Sequence, residues 1–82
     1  MVKVKVFATL IKLTGRKILE VPAGSVGELL EKLYSTYPGF EEELERGFMI
    51  LVNGGNIEHL QGLQTPLREE DIVSIFPPAG GG

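Results

Sequence analysis

Ser25-Val26-Gly27-Glu28-Leu29-Leu30-Glu31-Lys32-Leu33-Tyr34-Ser35-Thr36-Tyr37 is the stretch on which the fold turns. It opens with the S-x-x-E form of a capping box, in which the Ser25 hydroxyl accepts an early helical N–H and the Glu28 carboxylate reaches back. Val26, Leu29, Leu30, Leu33, Tyr34 and Tyr37 then recur at three- and four-residue spacing as one apolar stripe, while Glu28, Glu31 and Lys32 occupy the other side. The spacing predicts an amphipathic helix with one face to bury, ended by Pro38-Gly39.

The segments on either side supply the surface that such a helix needs. Upstream, Val2-Lys3-Val4-Lys5-Val6 alternates strictly, so the valines face a core and the lysines face away. By the same parity Phe7 falls on the lysine side, where a polar residue is expected. Thr14-Gly15-Arg16 reads as a turn and Lys17 to Val21 as a strand returning antiparallel to the first, closed by Pro22-Ala23-Gly24. Downstream, Phe40 to Arg46 reads as a short surface turn of helix carrying solvated glutamates. Met49-Ile50-Leu51-Val52 is a short apolar strand before an Asn53-Gly54-Gly55 turn. Asn56 to Pro66 reads as an irregular loop, with Leu60 and Leu63 tucked against the body and Gly62 allowing a bend. Arg68-Glu69-Glu70-Asp71 leads into a last strand, Ile72 to Phe76. There Ser74 marks the wetter face, placing Ile72 and Phe76 beside it and Val73 and Ile75 in the core.

This order predicts an α+β domain over residues 1–76, a mixed sheet with one main helix packed on one face. A hairpin followed by a helical crossover suggests the β-grasp (ubiquitin-like) arrangement, with the last strand beside the first and parallel to it. Phe7 and Phe76 would then lie near each other on the uncovered face, as a patch for a partner.

Composition narrows the chemistry. Eighty-two residues suffice for one core but not for a deep catalytic cleft of the chain's own. With no cysteine, disulfides, thiolate nucleophiles and cysteine metal sites are all absent, and the single histidine, His59, reads as a loop residue with no second ligand suggested beside it. The net charge is −3 and the basic residues are scattered, which argues against nucleic acid. No apolar run approaches a membrane span and no signal peptide opens the chain, so the expectation is a cytoplasmic protein. Residues 77–82 form a separate tail, Pro77-Pro78-Ala79-Gly80-Gly81-Gly82. Proline fixes φ and keeps the chain extended, and glycine leaves a thin, unhindered backbone that a partner's channel can enclose. Extended at about 3.3 Å per residue, it would reach roughly 20 Å.

The chain resembles the small subunit of molybdopterin synthase, a family of ubiquitin-like β-grasp sulfur carriers often called MoaD-like. The resemblance rests on Val52-Asn53-Gly54, on Thr65-Pro66-Leu67 through Asp71-Ile72-Val73, and most specifically on Phe76-Pro77-Pro78 followed two residues later by Gly81-Gly82. The chain departs from the common pattern in its longer Gly55 to Gln64 segment and in Gly80, and that segment is most similar to archaeal and tungsten-associated members. The resemblance implies a non-catalytic subunit that binds no cofactor. A ubiquitin-activating-like (MoeB-like) adenylyltransferase would use ATP and Mg²⁺ to adenylate the Gly82 carboxylate, and a sulfur donor would convert it to a thiocarboxylate. Gly81, Gly80, Pro78 and Pro77 would insert into a large, MoaE-like subunit, where sulfur passes to the pterin dithiolene. Phe7 and Phe76, with Leu60 or Leu63, would form the partner patch. Other readings remain open: a protein modifier joined to lysines through its diglycine end, a carrier for thiamin thiazole or another sulfur pathway, or an interaction module with an idle tail.

Overall fold

The computed structural model describes residues 1–77; the expectations placed on Pro78, Gly80, Gly81 and Gly82 lie outside the described residues. The chain runs β1 (Val2–Val6), α1 (Thr9–Thr14), β2 (Ile18–Val21), α2 (Val26–Thr36), α3 (Phe40–Glu45), β3 (Met49–Val52), β4 (Gly55–Asn56) and β5 (Ile72–Phe76). Two 3₁₀ turns, Ile57–His59 and Gly62–Gln64, precede the last strand. The sheet order is β2-β1-β5-β3-β4, with β1 and β5 parallel and the other pairs antiparallel. This is the β-grasp fold that the strand pattern predicts.

The alternation in β1 does what a half-buried strand requires: Val2, Val4 and Val6 are buried and Lys3 and Lys5 exposed. β5 repeats the pattern, with Val73 and Ile75 buried and Ile72, Ser74 and Phe76 half-buried on the other face. α2 lays Val26, Leu29, Leu30 and Leu33 on the valine face of the sheet, and Phe40 and Leu44 of α3 close one end of the same core. The α2 cap takes a variant form. Ser25 Oγ accepts the Glu28 N–H at 3.2 Å, as in a capping box, but the Glu28 carboxylate accepts the N–H of Gly24 rather than that of Ser25. Both arms still satisfy donors at the start of the helix that would otherwise be unpaired. Glu41, Glu42 and Glu45 are exposed, and Glu43, half-buried, accepts a hydrogen bond from Thr9 Oγ1 at 2.9 Å.

Three expectations are corrected. The first two strands are not joined by a tight turn, because α1 stands between them. It buries Leu10 completely and ends at Gly15, whose left-handed φ of 75° lets its N–H reach the Ile11 carbonyl at 2.7 Å. Six residues are too few for helical periodicity to register. The segment after Asn53 is not irregular throughout, since Gly55–Asn56 pairs with β3 and the two 3₁₀ turns follow. Leu60 and Leu63 do not tuck in; they are 49% and 53% exposed, and Ile57, Thr65 and Leu67 make the buried contacts of that segment instead.

Candidate functional site

Helix α2 covers one face of the sheet and leaves the other open. In the parallel β1–β5 pair the register runs Lys3 with Ile72, Lys5 with Ser74 and Val6 with Ile75, so the next residues, Phe7 and Phe76, arrive side by side on the open face. Their rings stack with centroids 4.2 Å apart and planes 11° from parallel. A stacked pair of this kind contributes about 0.5–1.5 kcal/mol beyond its buried area. It stands at the end of the sheet where β5 gives way to Pro77.

The stack does not stand alone. Phe76 pairs with Met49, 44% exposed, and Ser74 with Leu51, half-buried on the same face. On the far side of β1, Ile18 pairs with Lys5 and is 51% exposed. Ile18, Phe7, Phe76, Met49 and Leu51 thus form an apolar band across four strands. Beside Phe7 a shallow cleft of about 390 Å³ is lined by Val6, Ile11 and Ile18, with Lys5 and Lys17 at its rim, so the β1–β2 half of the band is basic. Met49 and Leu51 are not evident as surface residues in the sequence, because four consecutive apolar residues carry no period. The alternation of β3 is visible only once Ile50 and Val52 are fixed to the core.

Leu60 and Leu63 do not join this band. The Leu60 side chain lies 3.7 Å from where a Gly55 Cβ would stand, and Gly55 pairs with Val52, whose side chain faces the core. Leu60 therefore sits on the helix side of the β3–β4 edge, lining a groove with Val52, Asn53 and Pro66. Leu63 crosses α2 at Gly27, its carbonyl oxygen 3.2 Å from where a Gly27 Cβ would stand, and it borders Leu30 and Tyr34. Burial, and then the nearby Glu41 and Glu45 carboxylates, raise the Tyr34 hydroxyl above its ordinary pKa.

The entry to β5 is held by a polar joint. Asn53, in a left-handed conformation with φ 50°, accepts the Ile72 N–H through Oδ1 at 2.9 Å and donates through Nδ2 to Asp71 Oδ1 at 3.0 Å. The other Asp71 oxygen accepts the Arg68 N–H at 2.7 Å. That backbone hydrogen bond, followed by the Asn53 amide, holds the Asp71 carboxyl below its ordinary pKa. The joint fixes where β5 begins and so, at the strand's far end, where Phe76 meets Phe7. Among the described residues no three histidine or carboxylate side chains gather in a metal-binding group, and no helix is long and apolar enough to cross a membrane.

A β-grasp sheet with one helix-covered face, one uncovered face crossed by an apolar band and an aromatic stack where the last strand runs out defines a ubiquitin-like protein, of the kind that works by engaging other proteins. More particularly, the chain belongs to the ThiS family, whose match spans residues 4–82, and so to the ubiquitin-like sulfur carriers and modifiers. It is similar to small archaeal modifier protein 3 of Haloferax volcanii, 32% identical over 89 residues that cover 98% of this chain and 97% of that one. Among solved structures it resembles small archaeal modifier protein 1 of Methanosarcina acetivorans, with TM-score 0.88 and 36% identity over 99% of this chain and 95% of that one. It also resembles a chain from the complex of subunits 1 and 2 of molybdopterin-converting factor of Helicobacter pylori, with TM-score 0.68 and 26% identity over 99% of this chain and 97% of that one.

Proposed function

We propose that this protein carries sulfur as a C-terminal thiocarboxylate for dithiolene formation in molybdopterin biosynthesis. Gly82 is then a cosubstrate rather than an acid, a base or a metal ligand. An adenylyltransferase of the MoeB type binds the apolar band, uses ATP and Mg²⁺ to join the Gly82 carboxylate to AMP and releases pyrophosphate. A hydrosulfide ion attacks the acyl carbon, loses its proton and expels AMP, leaving the thiocarboxylate. Pro77 to Gly82 then enters a MoaE-like large subunit, whose groups transfer the sulfur to the pterin while water supplies the oxygen that returns the carboxylate. The observation that carries the reading is the Phe7–Phe76 stack, an apolar platform set one residue before Pro77, where a partner gripping the sheet also receives the Gly-Gly-Gly end. The likeness to a chain of the molybdopterin-converting factor complex supports the choice of acceptor.

A second reading, conjugation of Gly82 to lysines on other proteins, is favoured by a different observation: two of the similar proteins are small archaeal modifiers. Both uses start from the same adenylate. Intact-protein mass spectrometry separates them after incubation with the activating enzyme, ATP, Mg²⁺ and a sulfide source. A mass gain equal to one oxygen exchanged for sulfur at Gly82, lost again on adding the large subunit and precursor, is the expected result. Lysine-branched peptides carrying the glycine remnant, with no sulfur-bearing species, would overturn sulfur carriage in favour of modification.

A further inference from the structure

On the helix-covered side of the sheet, a fastened turn holds one leucine out in water. The 3₁₀ turn Gly62–Gln64 lies against the start of α2, and Leu63 at its centre is 53% exposed. Its exit is pinned by two hydrogen bonds: the Val26 N–H donates to the Thr65 carbonyl at 3.0 Å, and the buried Thr65 accepts the Gln61 N–H through Oγ1 at 3.0 Å. The approach is close enough to require a glycine in the helix, because a Cβ on Gly27 would stand 3.2 Å from the Leu63 carbonyl oxygen. An exposed apolar side chain on a backbone held this way is already ordered for contact. Beside it runs a shallow groove of about 460 Å³, lined by Leu30 and Tyr34 with Glu28 and Glu31. Among the described residues no lysine, arginine or histidine lines it.

The charge around the groove is of one sign. Glu28 is offset by Lys32 Nζ at 3.6 Å, but among the described residues Glu31 has no cation within 4 Å, and neither have Glu41 and Glu45 of α3. Burial raises the Tyr34 pKa and these two α3 carboxylates stand near enough to raise it further, so they border the same ring. The backbone sets a second condition. The N–H groups of Gln64 and Thr65 are taken by the Gln61 and Gly62 carbonyls, and α2 pairs its own, so no row of free groups is left for a strand to join. We propose that the groove docks a basic amphipathic helix of a partner protein. A leucine-sized side chain enters between Leu63 and Tyr34, and lysine or arginine side chains of the same helix meet Glu31, Glu41 and Glu45. The carboxylates select a basic occupant over an acidic one, and the self-paired backbone selects a helix over a strand. The sheet lies between this groove and the Phe7–Phe76 stack, so the two surfaces can be engaged at once.

The probe is a capped synthetic peptide of leucine and lysine alone, about four helical turns long with its leucines on one face. Titrated into the isotope-labelled full chain, it should move the backbone amide signals of Leu30, Glu31, Tyr34 and Leu63 saturably, with a Kd between about 10 μM and about 1 mM. The signals of Phe7 and Phe76 should stay in place. Leu63→Ser and Glu31→Lys should each weaken binding at least about fivefold without disturbing the rest of the spectrum, since both side chains are exposed. Glu20→Lys makes the same change of charge on the open face, where Glu20 pairs with Lys3, and should alter the affinity less than about twofold. A peptide with glutamate in place of every lysine should not bind. The proposal is overturned by a titration that does not saturate by about 1 mM, by shifts centred on the Phe7–Phe76 band, by equal binding of the glutamate peptide, or by unchanged affinity in Leu63→Ser.

Discussion

Phe76 lies on the wetter face of β5, yet it is an aromatic ring stacked on another ring that follows the first strand, near the opposite end of the chain. Neither ring reaches into the helix-covered core, whose members in these two strands are the valines and isoleucine on the opposite side. Folding alone does not call for Phe7 and Phe76, because a polar pair at these positions would leave that core intact. Under the proposed function the ring pair serves a partner. Phe76→Glu should fold, since a half-buried position on an open face can direct a carboxylate to water, and loss of the stack should lower its melting temperature by about 5–10 °C. Its cost lies in recognition: kcat/KM for adenylation by the activating enzyme should drop by at least about tenfold, as expected for a charge set at the centre of an apolar contact. Unchanged activation kinetics in Phe76→Glu would mean that the band is not where that enzyme binds.

Elements are legible in the sequence where their period is long enough to declare itself. The five-residue alternation of Val2 to Val6, the parity of Ile72 to Phe76 and the eleven-residue stripe of α2 all stand where the residue pattern puts them. Parity in β1 and β5 is also enough to bring Phe7 and Phe76 to one face. α1, β4 and the 3₁₀ turns are hidden because six, two and three residues span too little of any period. The joint between β3 and β5 is hidden for another reason. Val52-Asn53-Gly54 reads as a turn, and nothing in it tells that the Asn53 amide bridges to residues 71 and 72. Asn53→Ala should lose both side-chain bonds and leave an alanine at φ 50°, costing about 2–3 kcal/mol. Asn53→Gly keeps the backbone unstrained and should cost about 1 kcal/mol less by urea denaturation. The same joint has a pH signature. The folded Asp71 carboxyl sits below its ordinary value of 3.8, so its contribution is present above that value and is lost as pH falls through the folded pKa. Asp71→Asn should therefore flatten the acid limb of the melting temperature below about pH 4, while leaving the neutral-pH slope alone. An unaltered acid limb would place the sensitivity in another carboxylate, of which Glu28, held low first by the Gly24 N–H, is the leading candidate.

At the scale of the whole molecule, stability and chemistry occupy different parts of the chain. Among the described residues every buried hydrophobic side chain lies between Val2 and Ile75, and the last half-buried position is Pro77. The proposed reaction concerns only the carboxylate of Gly82, beyond all of them. A domain arranged this way can be recognised through its sheet by one partner and drawn upon at its terminus by another without refolding between the two. Removing Gly81 and Gly82 should accordingly leave the thermal transition within about 1 °C of the full chain, because a glycine has no side chain to withdraw from a core. The same deletion should abolish thiocarboxylate formation entirely, not merely slow it, since the chain then ends at Gly80, too short to place a carboxylate where adenylation occurs. It should also turn the shortened chain into a competitor. With the apolar band intact, it should inhibit activation of the full-length protein with a Ki close to the full chain's KM. Loss of both sulfur loading and inhibition would assign the tail a share of the binding itself, whereas inhibition retained in a chain that cannot be loaded is the expected outcome and separates the gripping surface from the reacting end.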